Sequence, residues 1–355
     1  MSTQTVLITG LNGFTAPHIA NEFLTNGWKV RGTVRSTSKK ESVLDLPYYK
    51  KWAADGKLEV VIVEDFVTSD WSEALAGIDA VVLAASPFDM TLSSYAEFAH
   101  PAIQGTTRIL EAASKLETIK AVAYVSSTTA VLDFFQPLSS YGGVIYSEKD
   151  WLPWTEEDAK SKEGFASHQW YCISKKYAEL AARETKKRTG ATWALSTFCP
   201  PGIYGPVQQI NKLEDLKTGF GSDLSTTQLY GLLCGGEDKP IPPDYNVQYV
   251  DVRDLAAAIY SGITRKTEGR YITAGDEITL QRFVNIARKL RPDLAKFIVK
   301  GDSKAPEEVE EGAYRYDTSA SQNELGIKYR KLEDTVRDTM ARFEELGAYK
   351  NKSEV

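Results

Sequence analysis

The sequence predicts an α/β fold: a parallel sheet covered by helices on both faces, with a smaller, mostly helical C-terminal lobe. Three observations predict it. Short apolar runs alternate with longer helical patterns over residues 5–198. A glycine-rich turn stands at the first strand-to-helix junction. After Pro206 the texture changes to polar loops, a proline cluster at Pro240, Pro242 and Pro243, and then helices. In order, residues 5–9 are the first strand, and Phe14, Ile19, Phe23 and Leu24 mark a helical face after it. Strands follow at 29–34, 58–63, 80–84, 121–125 and 192–198, with long helices at 93–115 and 169–187. Strands this apolar, alternating with helices, are buried on both faces. The stretch 207–245 carries one helix at 228–234, and residues 249–254 lead into a helix through Ile263. A strand at 270–273 returns to the sheet, and 276–355 is mostly helical. This divides the chain into a dinucleotide-binding domain, 1–206 with 247–275, and a substrate lobe, 207–246 with 276–355.

Composition narrows the function. The chain has 355 residues, 42% hydrophobic and 25% charged, an ordinary globular balance. Net charge is -6 with no basic stripe, so nucleic acid is not an expected partner. No apolar run is long enough to suggest a membrane span. The first strand begins at once, leaving no room for a signal peptide, and the three cysteines form no C-x-x-C pattern. A cytoplasmic protein without a metal site is expected, a monomer or homodimer.

Small residues at Gly10, Gly13 and Ala16 suit a turn that cradles a pyrophosphate. The first permits the tight turn, the second lets backbone approach the phosphates, and the third lets helix pack on strand. The helix start then offers unpaired N–H groups. Leu11, Asn12, Phe14 and Thr15 complete this expected cofactor turn. At the end of the second strand, where an NAD site usually has an acid, the chain has Arg35, then Lys39, with no acid before Glu41. A carboxylate would repel a ribose 2′-phosphate, whereas Arg35 can pair with it. NADPH is therefore expected. Asp65, followed by Phe66, can accept a bond from the adenine amino group. Ala84, Ala85 and Ser86 leave room beside a ribose.

Ser126 and Ser127 end the fifth strand, where ligands bind in open parallel sheets. Tyr171 and Lys175 lie four residues apart, on one helical face. A nearby ammonium favours the phenolate, so the tyrosine pKa is expected to fall toward neutrality. Ser127 would polarise a carbonyl and Tyr171 would protonate the forming alkoxide. Lys175 would hold the nicotinamide ribose. Ser126 is expected beside the cofactor. Candidate substrate-pocket residues are Phe88, Met90, Thr128, Phe134, Tyr204 and Tyr230, each equally readable as core.

These segments together (9–16, Ser126-Ser127, 171–175, 203–206 and 251–254) resemble the extended short-chain dehydrogenase/reductases. Within that branch the chain is most similar to the dihydroflavonol reductase and cinnamoyl-CoA reductase group, which includes fungal aldehyde, methylglyoxal and ketone reductases. The resemblance implies a doubly wound Rossmann core with a C-terminal substrate lobe. It implies NADPH-dependent reduction of an aldehyde or ketone by a triad of Ser127, Tyr171 and Lys175. It puts Pro200 and Ile203 beside the nicotinamide and Arg35 at the 2′-phosphate. The chain departs from the group at Gln104, where Asn is usual, at Cys199 before Pro200, and at Thr15. No cluster of basic residues suits a coenzyme A phosphate, so a small, free, apolar or aromatic carbonyl compound is expected. Two other readings stay open: an epimerase or dehydratase that retains NAD, and a non-catalytic NADP(H) sensor.

Overall fold

The computed structural model describes residues 3–85, 91–217, 223–243, 245–302 and 304–350. The first half runs β1 (Thr5–Ile8), α1 (Ala16–Thr25), β2 (Lys29–Val34), α2 (Thr37–Asp45), α3 (Pro47–Ala54), β3 (Leu58–Ile62), α4 (Ser72–Leu75), β4 (Ala80–Leu83), α5 (Tyr95–Ser114) and β5 (Ala121–Val125). A short β6 (Ile145–Tyr146) and α6 (Glu156–Ser161) precede the long α7 (Ser167–Thr189) and β7 (Ala194–Cys199). Then come β8 (Gly202–Tyr204), α8 (Leu224–Cys234), β9 (Tyr249–Asp251), α9 (Val252–Arg265) and β10 (Gly269–Ile272). The chain continues through α10 (Leu280–Leu290), β11 (Arg315–Tyr316), α11 (Ser319–Leu325) and α12 (Leu332–Glu345).

Seven strands form one parallel sheet in the order β10-β7-β5-β4-β1-β2-β3. This is the expected doubly wound Rossmann-like fold, and the strand at 269–272 does return to it, beside β7. One buried cluster packs α1 and α9 against one face, through Ile19, Phe23, Leu255 and Ile259. Another packs α4, α5 and α7 against the opposite face, through Leu75, Ile109, Leu110 and Ala182. A third joins α8, α10 and α12 through Leu232, Phe283, Val336 and Phe343.

The strand order reverses between β1 and β4, because β2 and β3 lie on one side and β5 and β7 on the other. A crevice opens at the carboxyl ends of strands at such a point. The Thr9 hydroxyl accepts the backbone N–H groups of Ala84 and Ala85, both at 3.0 Å, and so ties the two strand ends together.

Local chemistry explains where the elements differ from expectation. The helix expected at 228–234 starts at Leu224, because the Asp223 carboxylate accepts the Thr226 N–H at 2.8 Å and caps it. The helix expected from 169 starts at Ser167. There the Gln169 side chain reaches back to the Ala166 N–H at 3.1 Å, and the helix ends at Gly190, φ 66°. The paired short strands β6–β11 and β8–β9 have no counterpart among the expected elements. Two or three residues are too few to show a period.

Candidate active site

The turn after β1 is built for close approach. Gly10 has φ 71°, and a Cβ there would sit 2.9 Å from the Ala85 Cβ. The Gly13 N–H donates to the Gly10 carbonyl at 2.9 Å, and the Leu11 N–H to the Thr33 carbonyl at 2.9 Å. Leu11 is fully buried and Phe14 nearly so, whereas Asn12, Gly13 and Thr15 stay partly exposed. Thr15 is the N-cap of α1 but makes no side-chain cap bond, so the first N–H groups of that helix are left for a ligand. These are the features a dinucleotide pyrophosphate requires.

Arg35 follows β2 directly, is exposed, and makes no hydrogen bond or ion pair with a described residue. Burial, then the Arg35 charge, pushes the Lys39 pKa down. Two cations this close favour an anion between them. Asp65 is exposed and accepts the Val67 and Thr68 N–H groups, both at 2.8 Å through Oδ1; bonds of this kind lower its pKa. Phe66 packs edge-on against Trp71, 5.1 Å between centroids. Ala84 and Ala85 border the crevice, while Ser86, Phe88 and Met90 lie outside the described residues.

The two serines after β5 are not equivalent. Ser126 is buried and donates to Glu179 Oε2 at 2.7 Å. Ser127 is partly exposed and accepts the Thr129 N–H at 3.2 Å. Its own proton has no partner among the described residues. Tyr171 and Lys175 extend from α7, and the Lys175 ammonium donates to the Val125 carbonyl at 3.0 Å. It also lies 5.6 Å from the centroid of the Tyr124 ring.

The expected fall of the Tyr171 pKa is not found. Burial, followed by the Cys172 thiol, pushes the phenol well above 10. Burial lowers Lys175 to about 8. A desolvated site disfavours both charged forms, and the lysine charge does not offset that cost.

Thr128 is fully buried and bonds to the Pro200 carbonyl through both its N–H (2.9 Å) and its hydroxyl (3.4 Å). That fixes Pro200 against the end of β5. Ile203, on β8, packs at the edge of two clusters. Phe134 and Tyr204 are 7% and 3% exposed. Phe134 packs on Tyr314, and Tyr204 on Tyr249 and Phe283. The core reading of Thr128, Phe134 and Tyr204 is the one their burial supports. Tyr230, on α8, lies against Phe343 of α12, 5.6 Å between centroids. Gln104 faces outward on α5. No cluster of metal-binding side chains occurs among the described residues.

Sequence reasoning passed over Gly32, Glu179 and Arg270. A Cβ on Gly32 would sit 2.2 Å from Leu11 Cδ2, which is why β2 has glycine there. Glu179 falls one turn beyond Lys175, so its spacing was available as a signal.

The model of the NAD dependent epimerase/dehydratase family matches residues 6–275. An uncharacterized oxidoreductase of Schizosaccharomyces pombe is 33% identical over 96% of this chain and 96% of its own length. Aldehyde reductase 2 of Sporidiobolus salmonicolor is 32% identical over 70% of each chain. The crystal structure of yeast methylglyoxal/isovaleraldehyde reductase complexed with NADPH superposes with a TM-score of 0.80 at 26% identity. That match covers 97% of this chain and all of the other.

Proposed function

The chain belongs to the NAD-dependent epimerase/dehydratase family, and from that premise we propose that it is an NADPH-dependent oxidoreductase that reduces a small apolar or aromatic aldehyde or ketone to an alcohol. Relatives and structural neighbours named as aldehyde and methylglyoxal reductases support this reading. So does Arg35, standing where an NAD site would have an acid. The observation that carries the chemistry is the unequal pair after β5. Ser126 is committed to Glu179, whereas Ser127 keeps a proton to offer.

When bound, NADPH supplies the hydride. The N–H groups at the start of α1 and the Gly10–Gly13 turn would hold its pyrophosphate, and Arg35 with Lys39 its 2′-phosphate. Ser127 donates a hydrogen bond to the carbonyl oxygen and fixes its orientation. Tyr171 gives its phenolic proton to the alkoxide as charge develops there. A phenol whose pKa burial has raised is fully protonated at neutral pH, which suits the reductive direction. The Lys175 ammonium then stabilises the phenolate left behind.

Residues 1–206 with 247–275 carry the coenzyme in this reading, and 207–246 with 276–355 close over the carbonyl compound. The enzyme acts in the cytoplasm as a monomer or homodimer. No helix among the described residues is long and apolar enough to cross a membrane. An epimerase of this family would copurify with tightly held NAD, and that finding would displace the reductase reading.

Tyr171→Phe tests it. The variant should bind NADPH normally, by fluorescence titration, yet lose about a hundredfold or more in kcat on a carbonyl panel. Unchanged kcat would remove Tyr171 from the mechanism.

A further inference from the structure

Glu179 is a fully buried carboxylate with four partners, one each on α7, β7 and β10 and one just after β5. Arg270 Nε, on β10, donates to its Oε1 at 2.8 Å. Arg183, one turn further along α7, reaches the same oxygen at 3.3 Å. The Ser126 hydroxyl (2.7 Å) and the Cys199 thiol (3.8 Å) donate to Oε2. Arg270 is itself pinned. Its guanidinium stacks 3.8 Å from the centroid of the Trp151 ring. It donates to the backbone carbonyls of Ala130, Glu148 and Asp150. A buried ion pair of this kind gains little net stability over apolar packing, so stability alone does not account for it.

Its placement suggests a role. Lys175 and Glu179 are one helical turn apart, and each binds the end of β5. Lys175 holds the Val125 carbonyl and Glu179 holds the Ser126 hydroxyl, at the two residues just before Ser127. We propose that Glu179, locked by Arg270, is a positioning residue that sets both the orientation of Ser127 and the charge of Lys175.

The electrostatics agree. Lys175 is buried, and burial alone works against its ammonium form; Cys199 and Glu179 oppose that effect. Burial holds the Cys199 thiol at about 12, so it is neutral wherever the lysine titrates. Glu179 is then the negative charge that favours the ammonium. The other groups facing the pair are Tyr171 and Arg183 on α7, Tyr124 on β5 and Arg270 on β10. Both tyrosines have raised pKa values and stay neutral.

This inference rests on the triad reading, and the test separates the two. Lys175 is followed by 15N NMR titration of the ligand-free, lysine-labelled protein, its signal assigned by loss in Lys175→Met. In Glu179→Gln the Lys175 midpoint should drop by about one pH unit. The high-pH limb of kcat/KM for NADPH should drop with it, since that ratio reports the free enzyme. At pH 8 the loss in kcat/KM is about fivefold, growing with pH. Ser126→Ala keeps the charge, so it should leave the midpoint in place while lowering kcat about tenfold by releasing Ser127. Should Glu179→Gln fail to fold, the paired variant Glu179→Gln/Arg270→Gln removes both buried charges, and its Lys175 midpoint is read against that of Arg270→Gln alone, so that the difference isolates the carboxylate. An unmoved midpoint and pH limb, even in a destabilised variant, overturns the charge role. Full kcat in Ser126→Ala overturns the positioning role. If Lys175→Met and Tyr171→Phe both keep full kcat, it is the triad reading that falls.

Discussion

At the scale of single residues, the proposed coenzyme choice rests on Arg35. It is exposed, follows β2 directly, and has no competing ion pair among the described residues. Arg35→Asp should weaken NADPH about tenfold to a hundredfold, the cost of a lost charge-assisted contact, and leave NADH nearly unchanged. Fluorescence titration of both nucleotides measures this, and equal losses would refute the 2′-phosphate role. Arg35, Tyr171 and Lys175 could be singled out as candidates from the sequence because they are marked by short spacings. The state of Tyr171 was not legible. An ammonium four residues away argues for an acidified phenol, but desolvation outweighs it and raises the pKa instead. The partner of Glu179 was equally hidden, because Arg270 lies 91 residues away and only the pairing of β10 with β7 brings it near.

At the scale of elements, the turn proposed to hold the pyrophosphate depends on how closely β2 passes it. Gly32→Ala would put a methyl group 2.2 Å from Leu11 Cδ2 and 2.8 Å from Leu11 Cβ, and the second of these atoms cannot swing away. Overpacking of this kind should cost about 1–3 kcal/mol, read as a lower urea midpoint with an unchanged slope. NADPH affinity should fall with it, because Leu11 belongs to the turn. The short apolar strands and the long helices at 95–114 and 167–189 were readable from their hydrophobic pattern. Helix starts were less so. Those of α7 and α8 depend on Gln169 and Asp223 bonding to backbone, which no hydrophobic pattern records.

At the scale of the whole molecule, acid sensitivity should trace to the contact between α1 and the segment that follows β8. His18 on α1 is buried, and one ring nitrogen bonds to the Pro206 carbonyl at 2.9 Å. Burial lowers its pKa to about 4. The unfolded chain therefore binds a proton near pH 6.5 that the folded chain refuses until about pH 4, so stability falls as pH drops through that window. The loss should approach about 3 kcal/mol. Asp254, raised to about 6 by burial, works in the opposite sense below that pH, so comparison with a variant is needed. His18→Gln should lose about 3 kcal/mol less than the parent between pH 6.5 and 4, by urea unfolding at each pH. Parallel curves would clear His18. The change in texture after Pro206 was visible in the sequence, but not the histidine that fastens the first helix to that very residue.

One consequence follows from α7. Tyr171, Lys175, Glu179 and Arg183 recur every four residues along it. Adding or dropping one amino acid among them would rotate all that lies beyond by about 100°. That register would then aim phenol and carboxylate at different walls. Across this stretch the gene can tolerate changes of spelling far better than changes of length.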